Sequence, residues 1–132
     1  MFMEEAIGLV AAVLGLVVAA GAAHYVRSAT RDGALERNAF LGLRTRATLS
    51  SDRAWREGHL AAGPWLVAAV RGGYLAAAAA AAAALAAMAA DAFLLLAWAA
   101  VAVGYAVLLA LLVIGTVRAD AAAKASPREG AR

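Results

Sequence analysis

Three apolar runs constrain this chain more than anything else in it. Residues 6–26, 64–90 and 92–117 contain a single charged side chain among them, Arg71. A helix rises about 1.5 Å per residue, so some 20 apolar residues cross a hydrocarbon core of about 30 Å. Composition agrees. Hydrophobic residues make up 65% of the chain and mean hydropathy is +0.77, against roughly 45–50% apolar residues in ordinary globular proteins. The expected fold is an all-α integral membrane protein with three transmembrane helices.

The first run begins after Glu4 and Glu5 and has His24 as its only strongly polar side chain. A cleaved signal peptide would want a basic start and a shorter apolar core, so retention as a membrane helix is the expectation. Gly8, Gly15 and Gly21 punctuate this helix, and small residues there would let another helix approach closely. In the second run, Ala76 to Ala84 is unbroken alanine, a strong helix former that is only marginally hydrophobic. Arg71 is expected within two turns of an interface, its guanidinium reaching back to water. Asp91 is the one charge between the second and third runs and reads as the tip of a tight hairpin. The polar segment 118–132 reads as a frayed tail in which Ser126-Pro127 ends any helix.

Charge then orients the spans. Of the 12 basic residues, eight lie between Arg27 and Arg71 and the other four lie from Arg118 onward. One orientation puts all of them on a single side, and the positive-inside rule makes that side the cytoplasm. The N-terminus and Asp91 are therefore expected outside, with the 27–63 connection and the tail inside. With Lys124 the only lysine and alanine so abundant, the composition suggests a GC-rich bacterial genome, and the expected localisation is the inner (plasma) membrane, as a multi-pass protein. Its basic residues serve topology and attraction to anionic headgroups, and no direct nucleic acid binding is expected.

The 27–63 connection is where specificity can reside, because it alone mixes charge, hydroxyls, aromatics and glycine. Asp32-Gly33 reads as a turn. Ser50, Ser51 and Asp52 read as the start of a short interfacial helix from about residue 51, with a hydroxyl cap and an acid in the first turn. Along that helix Trp55, His59 and Gly63 recur at i, i+4 and i+8 and share a face. Gly63-Pro64 marks either a break or the first turn of the next helix.

Written as spacing, the connection reads Asn38-x3-Gly42-x-Arg44-Thr45-x2-Thr48-x-Ser50-Ser51-x3-Trp55-x3-His59-x3-Gly63. This resembles the signature of the SdpI family of bacterial membrane proteins. Members carry N-x-x-x-G-x-R-T, a Thr/Ser-rich turn, and Trp and His one helical turn apart before a membrane helix. Arg46 departs from the pattern, since a proline commonly follows the R-T pair. The resemblance implies protection against a secreted, membrane-active peptide toxin, or sensing of it. In the sensing case a cytoplasmic regulator is sequestered at the membrane.

The residues themselves allow more than one role. Arg44 could hold a phosphate or a partner's carboxylate, or act as one more cytoplasmic anchor. Gly42 is expected to supply a backbone conformation that other residues resist. Asn38 reads as a cap or turn residue, and Thr45, Thr48, Ser50 and Ser51 as hydroxyls that cap backbone. Trp55 is expected at headgroup depth as an interfacial anchor. His59 reads as a satisfied polar group or as a titratable one that bonds the Arg44 loop. His24 and His59 without carboxylate or cysteine support make a poor metal site, so neither metal nor cofactor is expected. No nucleotide, zinc-protease or serine-hydrolase motif occurs, and no carboxylate lies inside an apolar run. The expected protein is not an enzyme. Two rivals stay open: a phosphate- or lipid-headgroup-handling enzyme built on Arg44, Trp55 and His59, and a structural subunit of a transporter. Alanine-rich helices that bury little among themselves also suit a homo-oligomer.

Overall fold

The computed structural model describes residues 3–37 and 40–128. Among them are four α-helices and no strand: α1 (Met3–Arg31), α2 (Asp52–Ala61), α3 (Gly63–Ala87) and α4 (Ala92–Ala125), with a 3-10 turn at Thr48–Ser50 before α2. Helices α1, α3 and α4 are each long and apolar enough to cross a membrane.

Local chemistry sets the helix ends. α1 outruns its apolar stretch and stops in a Schellman motif, where Ala34 N–H bonds Ala29 C=O at 2.8 Å and Gly33 N–H bonds Thr30 C=O at 3.2 Å. That motif needs a left-handed residue, and Gly33 supplies it at φ +72°. α4 likewise continues past Val117. The tail read as frayed is helical through Ala125, because Ala121–Ala123 favour helix and Lys124 pairs with Asp120 one turn back at 2.7 Å. Ser126 then bonds back to Ala123 C=O before Pro127. Between α3 and α4, residues 88–91 form a tight turn in which the N–H groups of Ala89 and Ala90 return to Ala86 C=O.

The chain forms two compact units, to each of which α1, α3 and α4 contribute. The first comprises Met1–Gly21 and Ala69–Leu109. Its core joins Leu9, Ala80, Ala83, Ala97 and Val101, so the polyalanine stretch packs on one face. Within this unit α1 and α4 run parallel, with Gly8 beside Trp98 and Gly15 beside Tyr105, while α3 is antiparallel to both. Lipid tails are as apolar as leucine, so helix association here depends on close packing of small residues. Small residues meet closely at Gly73, where a Cβ would lie 2.8 Å from Ala20 Cβ, and at Gly104, where it would lie 2.6 Å from Ala76 Cβ. Gly8 and Gly15 instead make room for aromatic rings, and the Tyr105 hydroxyl uses that room to donate to Ala12 C=O at 2.9 Å. The expectation that α1 glycines admit a bare helix backbone thus holds less well than an aromatic-in-notch reading.

The second unit comprises Ala22–Ala68 and Ala110–Arg132. Every basic residue except Arg71 falls in it. Its core joins Val26, Ala29, Leu35, Trp55, Ala62, Leu66 and Ala119. Gly58 of α2 sits directly on α4, since a Cβ there would meet Ala119 C=O at 2.9 Å.

Because the atoms opposing Gly104 are a fixed alanine Cβ and a packed leucine, a larger residue there must push helices apart. Gly104→Val is expected to destabilise the protein in detergent by about 1–3 kcal/mol, the usual cost of overpacking. Gly21→Ala, whose Cβ would lie 3.6 Å from the Tyr74 hydroxyl, should be tolerated. Thermal unfolding followed by helical circular dichroism measures both.

Candidate functional site

The connection between α1 and α2 folds onto α2 through a chain of backbone-directed hydrogen bonds, all within the second unit. Ser51, in extended conformation, caps α2 by accepting the Ala54 N–H at Oγ (3.0 Å). Ser50 turns its hydroxyl back to Ala47 C=O at 2.6 Å. Thr45 and Thr48 cap each other: Thr45 N–H donates to Thr48 Oγ1 at 2.8 Å, and Thr48 N–H donates to Thr45 Oγ1 at 3.1 Å. The Thr48 hydroxyl also donates to Leu43 C=O at 2.8 Å. This reciprocal pair closes the turn without the proline common after R-T, so Arg46 occupies that position with its side chain exposed.

Trp55 and His59 form the buried centre. The indole Nε1–H donates to Leu35 C=O at 3.0 Å, and the ring is only 3% exposed. Trp55 is therefore not an interfacial anchor; its neighbours Val26, Leu35, Leu66 and Ala119 bury it in the core of this unit. His59 is 1% exposed, its ring centroid 4.1 Å from that of Trp55. Its Nε2 accepts the Leu43 N–H at 2.8 Å, and its Nδ1 lies 2.7 Å from Trp55 C=O. A carbonyl can only accept, so Nδ1 carries the proton and Nε2 does not. Both ring nitrogens are used, and the imidazole is neutral. Burial lowers the His59 pKa from its ordinary value, more than the bond to the Trp55 carbonyl raises it.

Gly42 completes the cage. At φ +145° its backbone suits glycine, and a Cβ would lie 2.5 Å from the Trp55 ring and 3.1 Å from His59 Nε2. Gly58 is the matching small residue on α2, with Thr48 Cγ2 at 3.1 Å from where its Cβ would be. Gly63 opens α3 and leaves a Cβ-sized gap toward Arg27 Nε at 3.9 Å.

Of the residues singled out from the sequence, Gly42, Thr45, Thr48, Ser51, Trp55 and His59 come together in one network, with Gly63 at its edge. Asn38 lies outside the described residues. Arg44 is on the outside of the loop, exposed, as are Arg46, Arg53 and Arg56. The loop also presents Phe40, 95% exposed, beside the partly exposed Leu41. Sequence reasoning missed Leu35 and Leu43, whose contributions are a carbonyl and an N–H that no side chain announces. It also missed Ala119, one alanine among many. Beside the turn, a cavity of about 710 Å³ is bordered by Arg46, Ser50, Asp120, Lys124 and Arg128.

Fold and site together define a multi-pass membrane protein whose second unit carries a platform, a hydrogen-bonded polar loop packed on α2. The SdpI/YfhL protein family model matches residues 34–117, nearly two thirds of the sequence, and the chain belongs to that family. The matched segment covers the whole platform motif, all of α3 and α4 as far as Val117. The family is not known as one of enzymes. No curated protein and no solved structure matches the chain.

The neutral, buried imidazole gives stability a pH dependence. In the unfolded chain His59 takes up a proton near its ordinary pKa of 6.5; in the folded protein it does so only at lower pH. Its contribution is therefore complete above pH 6.5, falls as pH drops below that value, and levels off beneath the folded pKa. Melting temperatures measured from pH 8 downward should show this loss in the wild type. In His59→Gln the baseline should be lower and this acid-dependent component absent.

Proposed function

We propose that this protein confers immunity to, or senses, a membrane-active peptide toxin, acting from the plasma membrane by contact and without catalysis. The observation that carries this reading is how the family motif is used. Thr48, Ser51, Trp55 and His59 of the motif are turned inward, where they fix the loop, and what the loop displays is Phe40, Leu41 and Arg44. A rigid loop offering apolar side chains beside a guanidinium suits contact with a cationic or amphipathic peptide's apolar face, or with a regulator's carboxylates. The basic-rimmed cavity beside Arg46 and Lys124 suits an acidic segment of a cytoplasmic regulator. The competing phosphate-handling enzyme, with Arg44, Trp55 and His59 converging on substrate, is disfavoured because Trp55 and His59 are buried and hydrogen-bonded to backbone.

In this reading the platform is cytoplasmic and the N-terminus and Asp91 are outside, the arrangement supported by the charge distribution. The chain has no cysteine, so single substitutions report topology cleanly. Asp91→Cys should react with a membrane-impermeant maleimide in intact cells, and Arg46→Cys only after permeabilisation. The reverse pattern sinks the orientation.

Function is tested by growth of a toxin-sensitive bacterial host carrying empty vector, the wild type or Arg44→Ala, with membrane levels matched. Protection by the wild type and its loss in Arg44→Ala is the expected result. Growth no better than with empty vector, at good expression against a panel of membrane-active peptide toxins, overturns the immunity reading.

A further inference from the structure

A second site in the same unit borders on His59 and Gly63 of the motif and is otherwise built from residues outside it. A cavity of about 480 Å³ is lined by Arg27, Thr30 and Arg31 of α1, by His59 and Leu60 of α2, and by the start of α3 at Gly63, Pro64 and Val67. No acidic residue is among its described lining residues. The Nε of Arg27 is fully buried there, and among the described residues it has no hydrogen-bond partner. A buried guanidinium N–H without an acceptor is costly, about 1–3 kcal/mol or more for a charged group, and favours a ligand that brings one.

The other polar groups of the cavity are already committed. The Thr30 hydroxyl donates to Val26 C=O at 2.6 Å, and both His59 nitrogens are engaged. The donors left are the guanidinium of Arg27 and that of Arg31, which touches Asp32 through Nε at 3.4 Å and is otherwise exposed. Arg27 and Arg31 stand four residues apart on one helix, where like charges repel. An anion held between them reverses the sign of that interaction. Opposite the arginines the wall is apolar, with Leu60 exposed beside Pro64 and Val67. One end therefore suits a phosphate and the other a hydrocarbon chain.

The geometry points to a phosphate-binding site at Arg27 and Arg31, whose occupant is the phosphodiester of an anionic phospholipid with an acyl chain along Leu60 and Val67. Guanidinium matches phosphate through paired, charge-assisted N–H bonds. The site is independent of the toxin reading, since it uses neither Phe40 nor Arg44.

The test uses the full chain purified in neutral detergent, with phosphatidylglycerol, phosphatidylcholine or inorganic phosphate added, read by native mass spectrometry and by melting temperature. The wild type should retain phosphatidylglycerol over phosphatidylcholine and be stabilised by it. Arg27→Gln should bind phosphatidylglycerol about tenfold more weakly, the loss of one charge-assisted contact. Arg53→Gln, which removes a side chain paired with Glu57 on α2, should bind as the wild type does. If Arg27→Gln fails to fold, Arg31→Gln, on an exposed side chain, carries the same comparison. Stabilisation by inorganic phosphate equal to that by phosphatidylglycerol, and lost in the arginine variants, keeps the phosphate site and assigns it a soluble ligand. Equal retention of both lipids, or undiminished retention in folded Arg27→Gln and Arg31→Gln, overturns the proposal.

Discussion

The imidazole of His59 joins two stretches of backbone sixteen residues apart, taking the Leu43 N–H on one side and bonding the Trp55 carbonyl on the other. Both contacts require the same protonation state, with the proton on Nδ1 and none on Nε2. A second proton would set two donors against each other at Leu43 and leave a buried charge. Much of the loop geometry depends on this one ring. Gly42 must lack a side chain because Nε2 and the Trp55 ring stand where its Cβ would go. Thr48 takes the Leu43 C=O while His59 takes the Leu43 N–H, so both backbone groups of that residue are held. The Thr45–Thr48 pair then closes the turn that feeds the Ser51 cap. Removing the ring would leave the Leu43 N–H without its buried acceptor, at a cost of about 1–3 kcal/mol.

The first unit is held together by different physics. Its helices are mostly alanine, leucine and valine, and in lipid such side chains gain little by touching one another. What discriminates one arrangement from another is fit: Gly73 against Ala20, Gly104 against Ala76, and the Trp98 and Tyr105 rings set against Gly8 and Gly15. The Tyr105 hydroxyl adds a directional bond to the Ala12 carbonyl. Such packing is sensitive to single methyl groups. It needs no polar motif, which is why this half of the chain reads as low in information.

How much was legible follows from this contrast. Three membrane helices could be read from apolar length alone, and the Asp32-Gly33 turn and the Ser51 cap from residues whose chemistry has few other uses. The extra turns at the ends of α1 and α4 could not, because charge there was read as the end of a span, whereas a helix can continue into water on alanine and an Asp120–Lys124 pair. Trp55 was misplaced for a related reason. Tryptophan next to a membrane span fits headgroup depth by frequency, and only the Leu35 carbonyl, twenty residues away, shows that it is a core residue. Gly58 carried a signal that was overlooked: glycine in mid-helix is unfavourable unless something approaches closely, and here Ala119 does.

A motif of this kind separates two properties that are easily merged. Trp55, His59, Gly42 and the threonines are constrained strongly by one another, so any protein that keeps this loop must keep them, whatever the loop contacts. They specify the platform. The side chains that the platform holds outward are Phe40, Leu41 and Arg44, together with the charged rim around Arg46 and Lys124. Two chains could therefore share the whole buried network and differ at those exposed positions. The buried network fixes the architecture of the loop, and the exposed side chains are where chains that share it can diverge.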